Sequence, residues 1–435
     1  MSQVATESGS TETGLVEAGS SEAAPTTAWP ADAEADKVRR VLEDFVTTWG
    51  GRDYDTTDAY REVRGAQFDA GLAWVYFPEG RGGLAVRHEL QRNVEKGLRS
   101  AGIPGMHPAM FFIALAGPTI LNHGTPELID KTLRPMFTGE DLWCQLFSEP
   151  GAGSDLASLA SRAVRDGDEW VVNGQKVWTT LAHIATKGML VARHSPDEVK
   201  HRGLTYFMVD MTAPGVEVRP LRQITGEAEF NEVYLTDVRV PDADRIGGIG
   251  DGWRVALTTL MNERTAIGGG GSTAGARKKG LPTDGPIGEL IHWYRMAPRG
   301  AVERDRAMQL YCDAETLRLT NLRAVGASKA GKQPGPEGSI AKLALSNLTK
   351  SLYPFCLDLA GAAGMVGFDY TFRRPEAAAL EGALGTARHL FLRSRANSIE
   401  GGTSEIMKNI LGERVLGLPG EPRVDKDLPW SAVPR

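Results

Sequence analysis

Cysteine is scarce in this chain, with Cys144, Cys312 and Cys356 the three in 435 residues. Their number is odd, their spacing wide, and none stands at a metal-ligand interval, which argues against a disulfide framework or a zinc site. They read as buried small apolar residues carrying reduced thiols, as expected in a cytoplasmic protein. Long apolar runs are missing as well: the longest, Met110 to Leu121, is broken by Gly117-Pro118 and is too short to span a bilayer. Basic residues hold no majority. With 49 Lys and Arg against 55 Asp and Glu, the net charge is −6, and no broad cationic face for nucleic acid or acidic lipid is expected. No Gly-x-Gly-x-x-Gly joins a strand to a helix, which disfavours a Rossmann nucleotide fold. The glycines of Pro78-Glu79-Gly80-Arg81-Gly82-Gly83 are not followed by Gly-Lys-Ser/Thr, so turn chemistry is expected there rather than a phosphate cradle. The Ser-, Thr-, Glu-, Gly- and Ala-rich opening has no basic residue before Lys37. It lacks the charged and apolar regions of a secretory signal, and its acidity is unlike a mitochondrial transit peptide; residues 1–30 are expected to be a disordered tail.

What is present is a succession of periodicities. At 41% hydrophobic and 24% charged residues, the chain can build two or three sizeable cores. Residues 31–140 carry helical spacing, with Val38, Val41, Leu42 and Phe45 on one face. Residues 141–246 are strand-rich instead, in short runs: Glu169 to Val172, Lys176 to Trp178, Gly188 to Arg193, Thr205 to Val209, Val216 to Pro220 and Glu232 to Tyr234. Turn signals such as Asp166-Gly167-Asp168 and Ala213-Pro214-Gly215 separate them, which suits a small β-barrel or sandwich. From residue 247 to 420 the helical period returns in long segments, expected to form a bundle, and 421–435 reads as a second tail. Gly268 to Gly271 lies inside the first of these helices, where a break or a close helix contact is expected. The fold expected is mainly α with an inserted β domain.

One stretch looks built to touch a ligand. In Leu142 to Asp155 an apolar, strand-like run stops at Ser148-Glu149-Pro150, after which Gly151 and Gly153 free the backbone for unusual dihedrals or close approach. Ser148 and Ser154 add hydroxyls, and the loop's N–H groups can face a polar edge or a phosphate. Trp170-Val-Val-Asn-Gly-Gln-Lys-Val-Trp-Thr-Thr180 then reads as a hairpin turning at Asn173-Gly174.

These two segments, with Gly401-Gly402-Thr403-Ser404-Glu405-Ile406 near the C-terminus, closely resemble the acyl-CoA dehydrogenase family, and the resemblance extends from about Lys37 to Pro419. It implies an N-terminal helical domain, a central β-barrel or sandwich and a C-terminal helical bundle holding FAD. In the family pattern Ser148 contacts the flavin ring, Trp178 packs against it, Thr180 hydrogen-bonds the N5 region and Ser154 meets the CoA portion. Gln145, Phe147, Gly153, Thr403 and Glu405 also fall on the cofactor-binding motifs. The implied reaction removes hydrogens from Cα and Cβ of an acyl-CoA thioester, with a carboxylate taking the α-proton and flavin N5 the β-hydride.

The proton acceptor departs from the commoner pattern. Most members carry it directly before Gly-Thr-Ser, and that position here is Gly401, with Glu400 one residue too early. Another branch places the base before an Arg on the first bundle helix, and Asn262-Glu263-Arg264 stands there. Glu263 is therefore the expected base, Glu400 the alternative, and Arg264 a substrate anchor. The backbone N–H of Gly401 would still donate to the thioester oxygen, as in the family.

A second departure is the missing Arg-x-x-Phe-Gly between Gly275 and Val325, which in the family reaches a neighbour's FAD; Leu281-Pro-Thr-Asp-Gly-Pro286 stands there instead. The expected protein is a metal-free homodimer or homotetramer passing electrons to an electron-transfer flavoprotein, with a heteromer also open. Two alternatives remain at this point: an acyl-CoA oxidase or nitroalkane-type flavoenzyme on the same fold, or a flavin-poor partner subunit of a heteromeric dehydrogenase.

Overall fold

The computed structural model describes residues 29–269, 285–296, 300–329, 335, 338–366, 371–376, 386–422, 425 and 427–433. The expected disorder of the first 28 residues, the Gly270-Gly271 part of the glycine run and the start of the Leu281–Pro286 segment lie outside them.

Five helices open the fold: α1 (Ala33–Trp49), α2 (Thr57–Asp69), α3 (Gln91–Ser100), α4 (Ile113–His123) and α5 (Pro126–Thr138). Asp32, Thr56 and Thr125 cap α1, α2 and α5, each side chain accepting from a backbone N–H three residues on. The stripe Ala35, Val38, Leu42 and Phe45 is buried as its spacing requires, and Val41 sits at its edge. Pro78 to Gly83 is a turn, with Gly80 and Gly82 at φ 77° and 83°.

The β region is one mixed sheet of eight strands: β1 (Trp143–Leu146), β2 (Arg162–Asp166), β3 (Glu169–Thr180), β4 (Lys187–Arg193), β5 (Leu204–Asp210), β6 (Val216–Pro220), β7 (Phe230–Pro241) and β8 (Arg245–Ile246). Its order is β6-β7-β3-β2-β4-β5-β8, with β1 parallel to β4. Strand β4 is buried on both faces. Met189 and Val191 enter a core shared with α4, whereas Leu190 and Ala192 enter a second core with Trp170, Phe207 and Val233.

The expected hairpin at Asn173-Gly174 is not there. Strand β3 runs through that dipeptide with a register shift between Val172 and Gly174, and the hairpin turn is at Gly167-Asp168, with Asp166 opposite Glu169 and Gly167 at φ 64°. Gly174 serves close approach instead: a Cβ there would fall 2.1 Å from Ser161 Oγ. Asn173 receives the Asp237 N–H at 3.0 Å and donates to that carboxylate at 2.9 Å, which ties the bulge to β7.

The bundle comprises α6 (Gly252–Gly269), α7 (Gly285–Met296), α8 (Ala301–Lys329), α9 (Gly338–Ala360), α10 (Ala387–Arg393) and α11 (Ser404–Ile410), the last continuing into a π-helical turn over Leu411–Val415. Leu290, Leu310, Leu317, Leu352 and Phe355 form its core. The backbone of α6 is helical through Gly269, so no break falls at Gly268. Cys144 and Cys356 are buried and Cys312 is exposed on α8, so the expectation of three buried thiols is corrected at that position. Burial pushes the Cys356 thiol up to about 12. The final segment is not a free tail: Trp430 and Ser431 donate backbone N–H groups to Glu198 and Pro196.

Candidate functional site

The site grows from the end of β1. Phe147 is buried edge-on against Tyr206, ring centroids 5.8 Å apart, so its side chain belongs to the core. The Ser148 carbonyl accepts the Val177 N–H at 2.9 Å, fastening the loop to β3, and Glu149 and Ala152 exchange two backbone bonds of 3.0 Å to close its tip. Beneath the tip lies a pair that the sequence reading missed. Lys176, fully buried, donates to the Glu149 carboxylate at 2.8 Å and to the carbonyls of Phe147 and Val191 at 3.0 and 2.9 Å. Glu149 also accepts the N–H groups of Ala160 and Ser161, at 2.6 and 2.9 Å. Burial alone would push the Glu149 carboxyl up, but the Lys176 ammonium and these donors outweigh it and hold the group below its ordinary value. The available signal was one lysine at a buried position of β3.

Gly151, Gly153 and Ser154 are exposed at the tip, and a Cβ on either glycine would meet nothing within 4 Å. Neither glycine takes a positive φ, so unusual dihedrals are not what it supplies there. The space beside the tip suits a bulky ligand edge, and the exposed Ser154 hydroxyl borders it.

A second wall stands at the end of β3. A register shift between Lys176 and Thr179 turns Trp178 outward, 56% exposed and at φ 61°. A bulky residue in the left-handed region is strained by roughly 1–3 kcal/mol, and such strain concentrates at ligand-contact sites. Among the described residues the indole's aromatic partner is Phe230, edge-on at 5.8 Å. Thr180, half-buried, lies opposite Phe230 in the ladder.

Helix α6 brings in the carboxylate. Thr259 Oγ1 lies 3.0 Å from both Thr119 Oγ1 on α4 and the Tyr206 hydroxyl on β5, and Thr258 meets His123 at 2.8 Å. One turn beyond Thr259 on the same helix face, Glu263 accepts from Gln145 Nε2 at 3.4 Å. Two candidates far apart in sequence therefore meet. The Arg264 backbone belongs to α6, and its side chain lies outside the described residues.

Glu400, the alternative base, is engaged elsewhere. Arg393 grips its two oxygens at 3.1 and 3.0 Å, lies 3.4 Å from the buried Glu229 just before β7, and sits 5.6 Å from the Phe230 ring on that strand. Gly401 and Gly402 follow at φ 61° and 95°, both left-handed, and Lys342 of α9 donates to the Gly402 carbonyl. Thr403 caps α11 by accepting the Ile406 N–H at 3.2 Å, and Glu405 is exposed in the first turn. Those contacts give Thr403 a local duty at the helix start. The role of Arg393 in linking the glycine turn to β7 could not be read from spacing alone. Among the described residues no group of His, Cys, Asp or Glu is arranged to hold a metal, and no helix is long and apolar enough to cross a membrane.

A model of the acyl-CoA dehydrogenase middle domain matches residues 144–238, and one of the acyl-CoA dehydrogenase C-terminal domain matches residues 289–416. Acyl-CoA dehydrogenase FadE34 of Mycobacterium tuberculosis is 38% identical over 353 residues, which is 81% of this chain and 45% of FadE34, so the chain spans less than half of that relative. Acyl-CoA dehydrogenase IpdE1 of the same organism is 37% identical over 380 residues, 85% of this chain and 91% of IpdE1. Among solved structures, the ChsE4–ChsE5 complex from Mycobacterium tuberculosis aligns with a TM-score of 0.64 and 27% identity, over 89% of this chain and 98% of that one.

Proposed function

The chain belongs to the acyl-CoA dehydrogenase family, and from that premise we propose that it catalyses FAD-dependent α,β-dehydrogenation of an acyl-CoA thioester, with Glu263 as the base. The observation that carries this reading is the approach of Glu263 to Gln145, which sets a helix carboxylate beside the strand leading into the Ser148–Ser154 loop.

The residues fit an isoalloxazine ring. The strained, outward-turned Trp178 offers an exposed indole face, and the glycine tip leaves open space beside two serine hydroxyls. FAD would supply the hydride acceptor when bound. Ser148 and Thr180 would hydrogen-bond the ring and Trp178 would shield it, with Gln145, Phe147, Gly153, Thr403 and Glu405 forming the surrounding frame. Glu263 would remove the α-proton as the β-hydride departs, leaving an enoyl-CoA. The Gly401 N–H would polarise the thioester carbonyl and so acidify that proton. Gly401 adopts φ 61° at no steric cost. Ser154 and Arg264 would bind the CoA portion, and the electrons would pass to an electron-transfer flavoprotein.

The direct test is anaerobic bleaching of the flavin across a panel of acyl-CoAs. Reduction by at least one member is expected; a flavin-loaded protein that no acyl-CoA reduces would overturn the assignment.

A second assembly reading has its own support: the chain resembles a structure described as a two-component complex and spans 45% of FadE34. In that reading the chain is one half of a heteromeric dehydrogenase, with part of the FAD site supplied by the other half. Isolation without flavin, followed by flavin uptake only with a partner chain, would favour it over a homo-oligomer.

A further inference from the structure

Behind the loop tip, the chain descends through Asp155 and a short 3-10 turn, Leu156–Ser158, that the reading so far leaves without a task. The C-terminal segment lies directly on it. Trp430 Nε1 donates to the Ser158 carbonyl at 3.1 Å, and the indole stacks under the Arg193 guanidinium at 4.3 Å. Arg193 is buried and donates to the carbonyls of Ala157 and Leu159 at 2.6 and 3.0 Å. Lys200 completes the clamp, reaching Asp155 at 2.9 Å and Asp425 from the C-terminal segment. The segment is itself fixed by two backbone bonds of 2.9 Å, Trp430 to Glu198 and Ser431 to Pro196, and by pairing of Pro429 with Val199.

Each contact is therefore doubled: one indole joins the C-terminus to the turn directly and through Arg193, and one ammonium joins Asp155 to Asp425. Residues adjacent to Ser154 are held by a part of the chain more than two hundred residues away, as the Trp430–Ser158 separation of 272 shows. A surface loop kept in one geometry by side chains that never touch the ligand is how remote residues set binding.

We propose that Asp425 and residues 427–433 form a strap that fixes the descending limb of the Ser148–Ser154 loop, making Trp430 and Lys200 positioning residues for the CoA end of the substrate. The CoA assignment rests on the functional reading above; the strap rests on the contacts alone.

The experiment uses the full-length flavoprotein and two readouts: hydrogen exchange of the amides in residues 151–159, and affinity for coenzyme A itself as the probe. Trp430→Ala is expected to raise exchange there at least about tenfold while leaving the amides of α4 protected, and to weaken coenzyme A about tenfold. Trp430→Phe keeps the stacking on Arg193, loses one hydrogen bond and should fall between the two. Should Trp430→Ala also expose α4, Asp425→Asn decides, with a smaller effect in the same direction expected. Unchanged exchange in 151–159 would overturn the strap. Raised exchange with unchanged coenzyme A affinity would overturn the positioning role. A wild-type protein that binds no coenzyme A would instead defeat the functional reading, leaving the exchange result to decide the strap.

Discussion

Gln145 Nε2 and Glu263 Oε2 stand 3.4 Å apart although 118 positions separate them in sequence. At that length the hydrogen bond between them is weak, and it sets the carboxylate beside the strand that leads into the Ser148–Ser154 loop. In the proposed reading that position lets Glu263 receive the substrate α-proton.

Glu263→Gln should therefore keep shape and hydrogen bonding while removing the basic site. FAD and ligand should still bind, and anaerobic flavin reduction should fall by about 10²- to 10⁴-fold. Glu400→Gln loosens the Arg393 grip and should slow reduction far less. Stopped-flow reduction with an accepted acyl-CoA ranks the two, and the reverse order would move the base to the C-terminal turn.

Trp178 invites a test that separates strain from contact. Asn tolerates the left-handed region that the indole resists, and the exposed side chain gives up little more than its edge contact with Phe230. Trp178→Asn should leave the denaturation midpoint unchanged or raised while flavin fluorescence increases and reduction slows. Thr180→Val belongs beside it, expected to slow reduction at constant FAD content. A large loss of stability in Trp178→Asn would show that the indole is structural.

The Glu149–Lys176 pair predicts a pH dependence. The Glu149 carboxyl titrates lower in the folded chain than its ordinary 4.5, so its contribution is full above about 4.5 and is lost as pH falls through the lower folded value. Glu149→Gln should remove that acid-side dependence and destabilise by about 3–5 kcal/mol, because Lys176 stays buried without its partner. Replacing both by apolar residues should recover much of the loss. Urea unfolding from pH 3 to pH 7 measures these effects, and an unaltered acid profile in Glu149→Gln would exclude the pair as its source.

Much of this architecture was legible in sequence because it is periodic. The α1 stripe and the long bundle helices follow from burial of one face at a fixed repeat, and the short apolar runs of β4 and β5 from burial of both faces. Asn173-Gly174 misled because a dipeptide suited to a type I′ turn equally suits a bulge, and the crowding by Ser161 that decides between them is a tertiary contact. Lys176 and Trp430 escaped notice for the same reason: their partners lie 27 and 272 positions away, at spacings that no local pattern encodes, and Arg393 reaches back to Glu229 before β7. The Glu263 reading came from family resemblance, and its meeting with Gln145 is a contact that neither helix nor strand periodicity could supply.

How α6 is aimed yields the last prediction. Each hydroxyl has one proton, and Thr119 Oγ1 is 2.7 Å from the Leu115 carbonyl, its acceptor. The Val255 carbonyl lies 3.3 Å from Thr259 Oγ1, farther than Thr119 at 3.0 Å, so Thr259 donates to Thr119 and Tyr206 to Thr259, giving a directed chain from β5 through α6 to α4. Burial pushes the Tyr206 phenol well up, so it remains a donor throughout the working pH range. Thr259→Val preserves volume but breaks the chain in the middle, leaving a buried phenol unpaired at a cost of about 1–3 kcal/mol. Helix α6 loses its register pin one turn before Glu263, so flavin reduction should slow as well, by less than in Glu263→Gln. Thr259→Ser restores the hydroxyl and should recover most of the rate. Denaturant midpoints and stopped-flow traces of the two variants check both halves of the claim. Should Thr259→Val lose stability while reducing the flavin at the wild-type rate, the chain would be a packing device with no part in aiming Glu263.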